Sequence, residues 1–146
     1  SYPVERFVPH PMHDDFNTRP EWRFRFDIAV GKLKYPVPAA RAAPLPQGDD
    51  AKIGETLFIV SWRRDDESAR PRQRACPVIE GLPGLVTLGC SAAGGESGAP
   101  VIRKTDHGLE IVAVISSRGQ QLQQPIAQAS DVRLRIPPLL DALKRP

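Results

Sequence analysis

Sixteen prolines and 11 glycines are spread along the chain, and they cut it into runs too short for long helices. Between these breaks the residues alternate apolar and polar, the period of a half-buried strand. Tyr2–Val8 alternates in this way, and Trp22–Val30 does so for longer, with Trp22, Phe24, Phe26, Ile28 and Val30 on one face. Both runs are predicted strands. Further strands are predicted at Thr56–Trp62, Cys76–Glu80, Leu85–Leu88, Pro100–Arg103 and Leu109–Ser116. The four prolines between Pro36 and Gln47 cannot donate to a sheet ladder, so that segment reads as an extended connector. Only Pro137–Lys144 reads as a helix, with prolines in its first turn and a basic residue at its end. Many short strands with regular turn signals predict an antiparallel barrel or sandwich.

With 40% hydrophobic residues over 146 positions, there is enough apolar material for one globular domain. The net charge of +3 is too small to argue for nucleic-acid binding, which shows as a clustered basic face. No apolar run approaches the length of a membrane span. No basic-then-apolar leader follows Ser1, so any targeting segment is expected upstream or already removed. The most charged stretch, Arg63–Glu67 with Arg70, Arg72 and Arg74, mixes both signs and reads as a solvated hairpin loop rather than an anion-binding patch. Trp22 and Trp62 sit in strand patterns and are assigned to core packing. Cys76 and Cys90 are compatible with a disulfide, a partial metal site or two buried thiols. The disulfide is the reading adopted; its loop of about 15 residues would stabilise by roughly 3 kcal/mol and place the protein outside a reducing cytosol.

The segment most suggestive of chemistry is Gly94-Gly-Glu-Ser-Gly-Ala-Pro100, directly before an apolar strand. Glycines ahead of Ser97 let the backbone turn so that consecutive N–H groups face one point, a nest suited to an oxyanion. Gly98 and Ala99 keep the space beside the hydroxyl clear. By composition alone, an ordinary Gly-Ser turn is the competing reading.

Gly95-Glu-Ser97-Gly-Ala-Pro100 resembles the nucleophile motif of the trypsin/chymotrypsin-like serine proteases. Phe26-Asp27-Ile-Ala-Val-Gly-Lys-Leu33 resembles that family's triad-aspartate segment, and Val8-Pro-His10-Pro11 the His-Pro strand end that precedes it. Ile111-Val-Ala-Val-Ile-Ser116 is similar to the strand lining the primary specificity pocket. Asp131-Val-Arg-Leu-Arg-Ile136 is similar to the final strand before the C-terminal helix. The order of these segments agrees along almost the whole chain. The spacing Cys90-Ser-Ala-Ala-Gly-Gly-Glu-Ser97 is closest to bacterial secreted members of the glutamyl-endopeptidase type.

The resemblance implies an all-β fold, a trypsin-like double antiparallel β-barrel with the site in the cleft between barrels. Here the second barrel would be complete and the first partial, followed by a C-terminal α-helix. Residues 1–35 would be the last strands of the first barrel, 36–50 the connector, 51–136 the second barrel and 137–146 the helix. The implied reaction is peptide hydrolysis through an acyl-enzyme, with no cofactor or metal. Ser97 would be the nucleophile, Asp27 the orienter of the histidine, and the N–H groups of Gly95 and Ser97 the oxyanion hole. Ser116 would support Asp27 and contact substrate backbone. Ser91 would form the pocket floor. Arg118 would favour acidic substrate side chains and Asp131, near the back wall, basic ones, so these two signals oppose each other. Glu96 stands where many members place an aspartate that pairs with a freed N-terminus.

One part of the family pattern is missing. Only 26 residues precede Asp27, and they hold no segment like the one carrying the family's catalytic histidine. His10 and His13 match a different part of the family, and His107 lies in a Thr-Asp-His-Gly turn. The expected account is a C-terminal fragment of a secreted or periplasmic endopeptidase. Its partners would be an N-terminal fragment of the same protease, which supplies the histidine, and a polypeptide substrate. A catalytically inactive protease-like binding module is the competing class. An intracellular quality-control protease of the same fold is disfavoured if the two cysteines are oxidised.

Overall fold

The computed structural model of the protein describes residues 1–62 and 71–145. The expected charged hairpin loop lies largely outside them, with only Arg72 and Arg74 described. The chain opens with β1 (Val4–Pro9), α1 (Pro20–Phe26) and β2 (Ala29–Leu33). β1 and β2 pair antiparallel as a two-stranded ribbon, with Val8 opposite Val30 and Pro9 opposite Ala29. After the connector come β3 (Thr56–Ser61), β4 (Arg72–Leu82), β5 (Leu85–Leu88), β6 (Pro100–Thr105), β7 (Gly108–Gln121) and β8 (Gln124–Asp131). These six strands close into an antiparallel barrel in the order β3-β4-β5-β8-β7-β6, with β6 returning to β3. α2 (Val132–Leu143) follows directly. The protein is thus mostly β, with one closed barrel and a C-terminal helix.

Alternation fills the barrel. Leu57, Ile59 and Ser61 of β3 point inward, while Thr56, Phe58 and Val60 are more exposed. Leu57, Ile59, Val78, Leu88, Val101 and Val112 are all but fully buried in one cluster. Truncating Leu57 or Ile59 to Ala is expected to cost about 2–5 kcal/mol. A second, smaller cluster joins the ribbon to the barrel. Ile28, Val132 and Leu139 are buried there, with Val8, Val30, Val114 and Ile136 packed around them. The end of the connector is held to the barrel by a β-bridge from Gln47 to Ile111 and by Arg103 on β6, which donates to the Asp49 and Asp50 carbonyls at 3.1 and 3.0 Å.

Several elements differ from the sequence expectation. Trp22–Val30 is not one strand. Pro20 takes the first helical position, Glu21 lies in the first turn and Arg23 and Arg25 in the last, charges that suit the helix dipole. Four residues apart, Trp22 and Phe26 share a helix face at 5.7 Å between ring centroids, and Arg25 covers Trp22. Only from Ala29 does a strand begin. Trp62 is 61% exposed rather than in the core. Residues 132–136 form the start of α2 instead of a final strand, and the helix begins five residues before Pro137. Asp131 caps it, with Oδ1 accepting from the Leu134 N–H at 2.8 Å. Pro137 and Pro138 therefore fall inside the helix, where burial of Val132 and Leu139 offsets the missing donors. The last barrel strand is β8, which the sequence reading did not anticipate.

Among the described residues no helix is long and apolar enough to cross a membrane, and no cluster of His, Cys, Asp or Glu could hold a metal ion.

Candidate active site

Ser97 sits on the turn between β5 and β6. Gly95 and Gly98 on either side adopt φ of 92° and 85°, left-handed values at which a side chain is strained. Glu96 and Ser97 between them are not at positive φ, so the hand changes on both sides of the pair, a turn of the kind in which successive N–H groups can face one point. The turn is tied down by Glu96 N–H to Ala93 O (3.2 Å), Ala99 N–H to Glu96 O (2.9 Å) and Gly98 N–H to Ile115 O (2.8 Å). The N–H groups of Gly95 and Ser97 have no hydrogen-bond partner among the described residues. Ser97 is exposed, and its hydroxyl donates only weakly to Ser116 O at 3.4 Å.

Asp27 is placed by α1, whose C-terminal end it caps. Buried Ser130 on β8 donates to the carbonyls of Phe24 and Asp27, fastening the end of the helix to the barrel. Ser116 comes from β7. The register of β7 against β8 shifts between Ile115 and Ser117, so Ser116 is the extra residue of a bulge. Bulges re-aim side chains; here the Ser116 hydroxyl leaves the ladder and donates to Asp27 Oδ2 at 2.6 Å. Asp27 and Ser97 then line one cavity of about 600 Å³, together with His13, Ala29, Gly98 and Val114.

A second cavity of about 200 Å³ adjoins Ser97. Ala92, Gly94, Gly95, Ser116, Ser117 and Arg118 are on its wall, and Arg118 is its one charged lining residue among the described residues. Ser91, expected at the pocket floor, is exposed and lies outside this wall; the buried residue there is Ala92. Asp131, expected at the back wall, is instead buried beneath α2. It lines a separate cavity with Asp50, Gly84 and Arg133. Burial raises its carboxyl above the ordinary range, against the opposing pull of the Leu134 N–H. The two opposed charge signals in the sequence therefore separate in space, and Arg118 alone faces the Ser97 side.

The histidines are spread out. His10 is buried, its ring 4.8 Å from that of Phe26, and its Nδ1 accepts from the Met12 N–H at 3.2 Å. Burial, then the charges of Arg135 and His13, lower its pKa below the ordinary imidazole value. His13 shares the cavity of Asp27 and Ser97, a proximity that its place in the sequence did not signal. Its Nε2 lies 2.9 Å from Asp15 Oδ1. His107 is exposed in the turn between β6 and β7. None of the three is hydrogen-bonded to Ser97 or Asp27.

Sequence reasoning missed the partners of Glu96. This carboxylate is buried and receives three donors: Ser61 Oγ at 2.7 Å, Arg74 Nη2 at 2.7 Å and the Ala93 N–H at 2.6 Å. The cysteines form the Cys76–Cys90 disulfide, which ties β4 to the segment leading into the serine turn. A scan against protein-family models finds no match for this chain, and a search of curated proteins finds none either.

Proposed function

We propose that this protein is the nucleophile-bearing portion of a trypsin-like serine endopeptidase that hydrolyses peptide bonds through an acyl-enzyme. The observation that carries this reading is that Ser97 and Asp27 share one cavity, with Asp27 held in place by Ser116. In the proposed reaction Ser97 Oγ attacks the scissile carbonyl, and the N–H groups of Gly95 and Ser97 receive the negative charge that develops. Asp27 orients an imidazole that takes the serine proton and returns it to the leaving amine.

The imidazole would be supplied by a histidine-bearing segment of the same protease that completes the first barrel and covers the ribbon. Two features support this. Val4 and Phe7 on β1 are 43% and 66% exposed, and among the described residues no third strand pairs with β1 or β2. A two-stranded ribbon is marginal without such a covering. The Cys76–Cys90 disulfide is compatible with the secreted or periplasmic location that the reading includes. Arg118 on the smaller cavity, with no carboxylate beside it among the lining residues, favours substrates with an acidic side chain there.

The inactive binding module remains the second reading, favoured by the absence of any histidine bonded to Ser97 among the described residues. The deciding experiment treats protein isolated from its source with a fluorophosphonate, alongside intact mass under native and denaturing conditions. The protease reading expects Ser97 to be labelled in a preparation that contains a second, histidine-bearing polypeptide. No labelling in any preparation supports the module.

A further inference from the structure

We infer that Arg74 and Ser61 latch Glu96 from inside the barrel and thereby set the turn that carries Ser97. The inference deepens the protease reading and depends on it only for its catalytic consequence. The latch itself is geometric.

Glu96 lies between the two residues whose N–H groups form the candidate nest, so any movement of its backbone displaces both. Its side chain is 2% exposed, and a buried carboxylate without partners is strongly unfavourable. Three donors prevent that here, each from a different place: Ser61 at the end of β3, Arg74 on β4 and Ala93 at the start of the turn. Arg74 and Ser61 are barrel residues, and β3 pairs with β4 along its whole length. Among the described residues Arg74 is the charged group that faces Glu96. Because Cys76 is two residues from Arg74 and bonded to Cys90, the same strand holds both the segment that enters the serine turn and, through Glu96, the turn's middle. Arg74 and Ser61 are thus positioning residues. They act on Ser97 through Glu96.

The test uses amide hydrogen exchange on the full chain. The Ala93 and Ala99 N–H groups report directly, since they bond to the side chain and the carbonyl of Glu96. Glu96→Gln and Arg74→Met should each raise exchange at these amides by about tenfold or more, the loss expected for one charge-assisted hydrogen bond. The barrel ladders should keep their protection, and Arg74→Lys should restore most of that of Ala93. In the unaltered chain, protection at Ala93 should fall as pH drops below the ordinary glutamate range, and Glu96→Gln should abolish that step. Equal Ala93 protection in Arg74→Met and the unaltered chain would overturn the inference. If Arg74→Met does not fold, Ser61→Ala carries the same comparison, with equal Ala93 protection in it and the unaltered chain overturning the inference. Should Ser97 resist phosphonate labelling while Ala93 responds as described, the latch stands and the protease reading fails. Labelling of Ser97 at an unchanged rate in Arg74→Met, with Ala93 unaffected, leaves the protease reading standing and sinks the latch.

Discussion

The Ser116 hydroxyl donates to Asp27 Oδ2 at 2.6 Å, joining residues separated by 89 positions in the chain. This bond spans the seam between the helix-and-ribbon unit and the barrel, because Asp27 ends α1 and Ser116 bulges from β7. A hydrogen bond to an ionised partner contributes about 1.5–3 kcal/mol, more than a neutral one. Ser116→Ala should therefore lower stability by about 1–2 kcal/mol in denaturant titration, allowing for its partly buried site. In protein that labels at Ser97, it should also slow labelling by about tenfold, because a carboxylate free to turn orients an imidazole poorly. A variant that loses stability but labels at the original rate would mean that the bond fixes the seam and not the reacting groups.

Asp131 yields a prediction with opposite signs for two substitutions. Its side chain caps α2, yet burial raises its pKa above the ordinary value of 3.8. An acid whose folded-state pKa is raised favours folding in its neutral form. Its contribution is therefore largest below the ordinary value and falls as pH rises through the folded one. Asparagine keeps an acceptor for the Leu134 N–H and is always neutral. Asp131→Asn should be at least as stable as the unaltered protein at pH 7, whereas Asp131→Ala should lose about 1 kcal/mol with the cap. Thermal unfolding at pH 4 and pH 7 separates the two, and equal losses at pH 7 would sink the argument.

The legible part of this molecule is the part fixed by nearest neighbours. β5 falls at its expected bounds, β3 stops one residue short of its expected run, and β4, β6 and β7 contain the runs expected for them, because alternation reports which face of a strand meets the core. Local pattern failed where two periods compete. In Trp22–Phe26, residues two apart and four apart are both aromatic, and only contact across space selects the helix. β8 has little branched or aromatic character in Gln124–Asp131, and it is a strand because β5 and β7 flank it. For the site, the sequence marked Ser97, Asp27 and Ser116 as candidates, and the structure places them together. It could not mark Arg74, which reads as one more arginine in a charged stretch, nor separate Arg118 from Asp131. Those distinctions depend on which side of a closed barrel a residue faces.

In protein that labels at Ser97, Arg118 offers a test of substrate choice under the proposed reading. It is exposed, so its charge is screened and its effect on binding is modest. On peptides that differ only in the residue entering the smaller cavity, Arg118→Ala should lower kcat/KM for glutamate about tenfold and leave alanine unchanged. Arg118→Glu should move the preference toward lysine. The effect on glutamate should shrink as salt is raised. A glutamate preference that survives Arg118→Glu would assign the selection to another group.

The disulfide should matter more to the serine turn than to the barrel as a whole. Cys76 is fully buried in the core cluster and Cys90 half-buried at its edge, so replacing both by alanine removes the link without leaving a polar group inside. The loop it closes has about 15 residues, for which the chain-entropy account gives roughly 3 kcal/mol. For a protein of this size that corresponds to a fall of about 6–12 °C in Tm. The local consequence is sharper. Without the link, the Gly89 N–H still bonds to the Pro77 carbonyl of β4 at 2.8 Å, but the residues after it lose their covalent tie, and among the described residues Arg74 is the β4 side chain bonded to the turn, through Glu96. Cys76→Ala/Cys90→Ala should therefore speed exchange at the Ala93 amide more than at β3 or β6. Combining it with Arg74→Met should cost more than the two losses added, since each fastening limits the motion that the other would otherwise have to resist. Strict additivity would mean that the segment entering the turn and the turn's middle move independently, and that β4 is not the common support proposed for them.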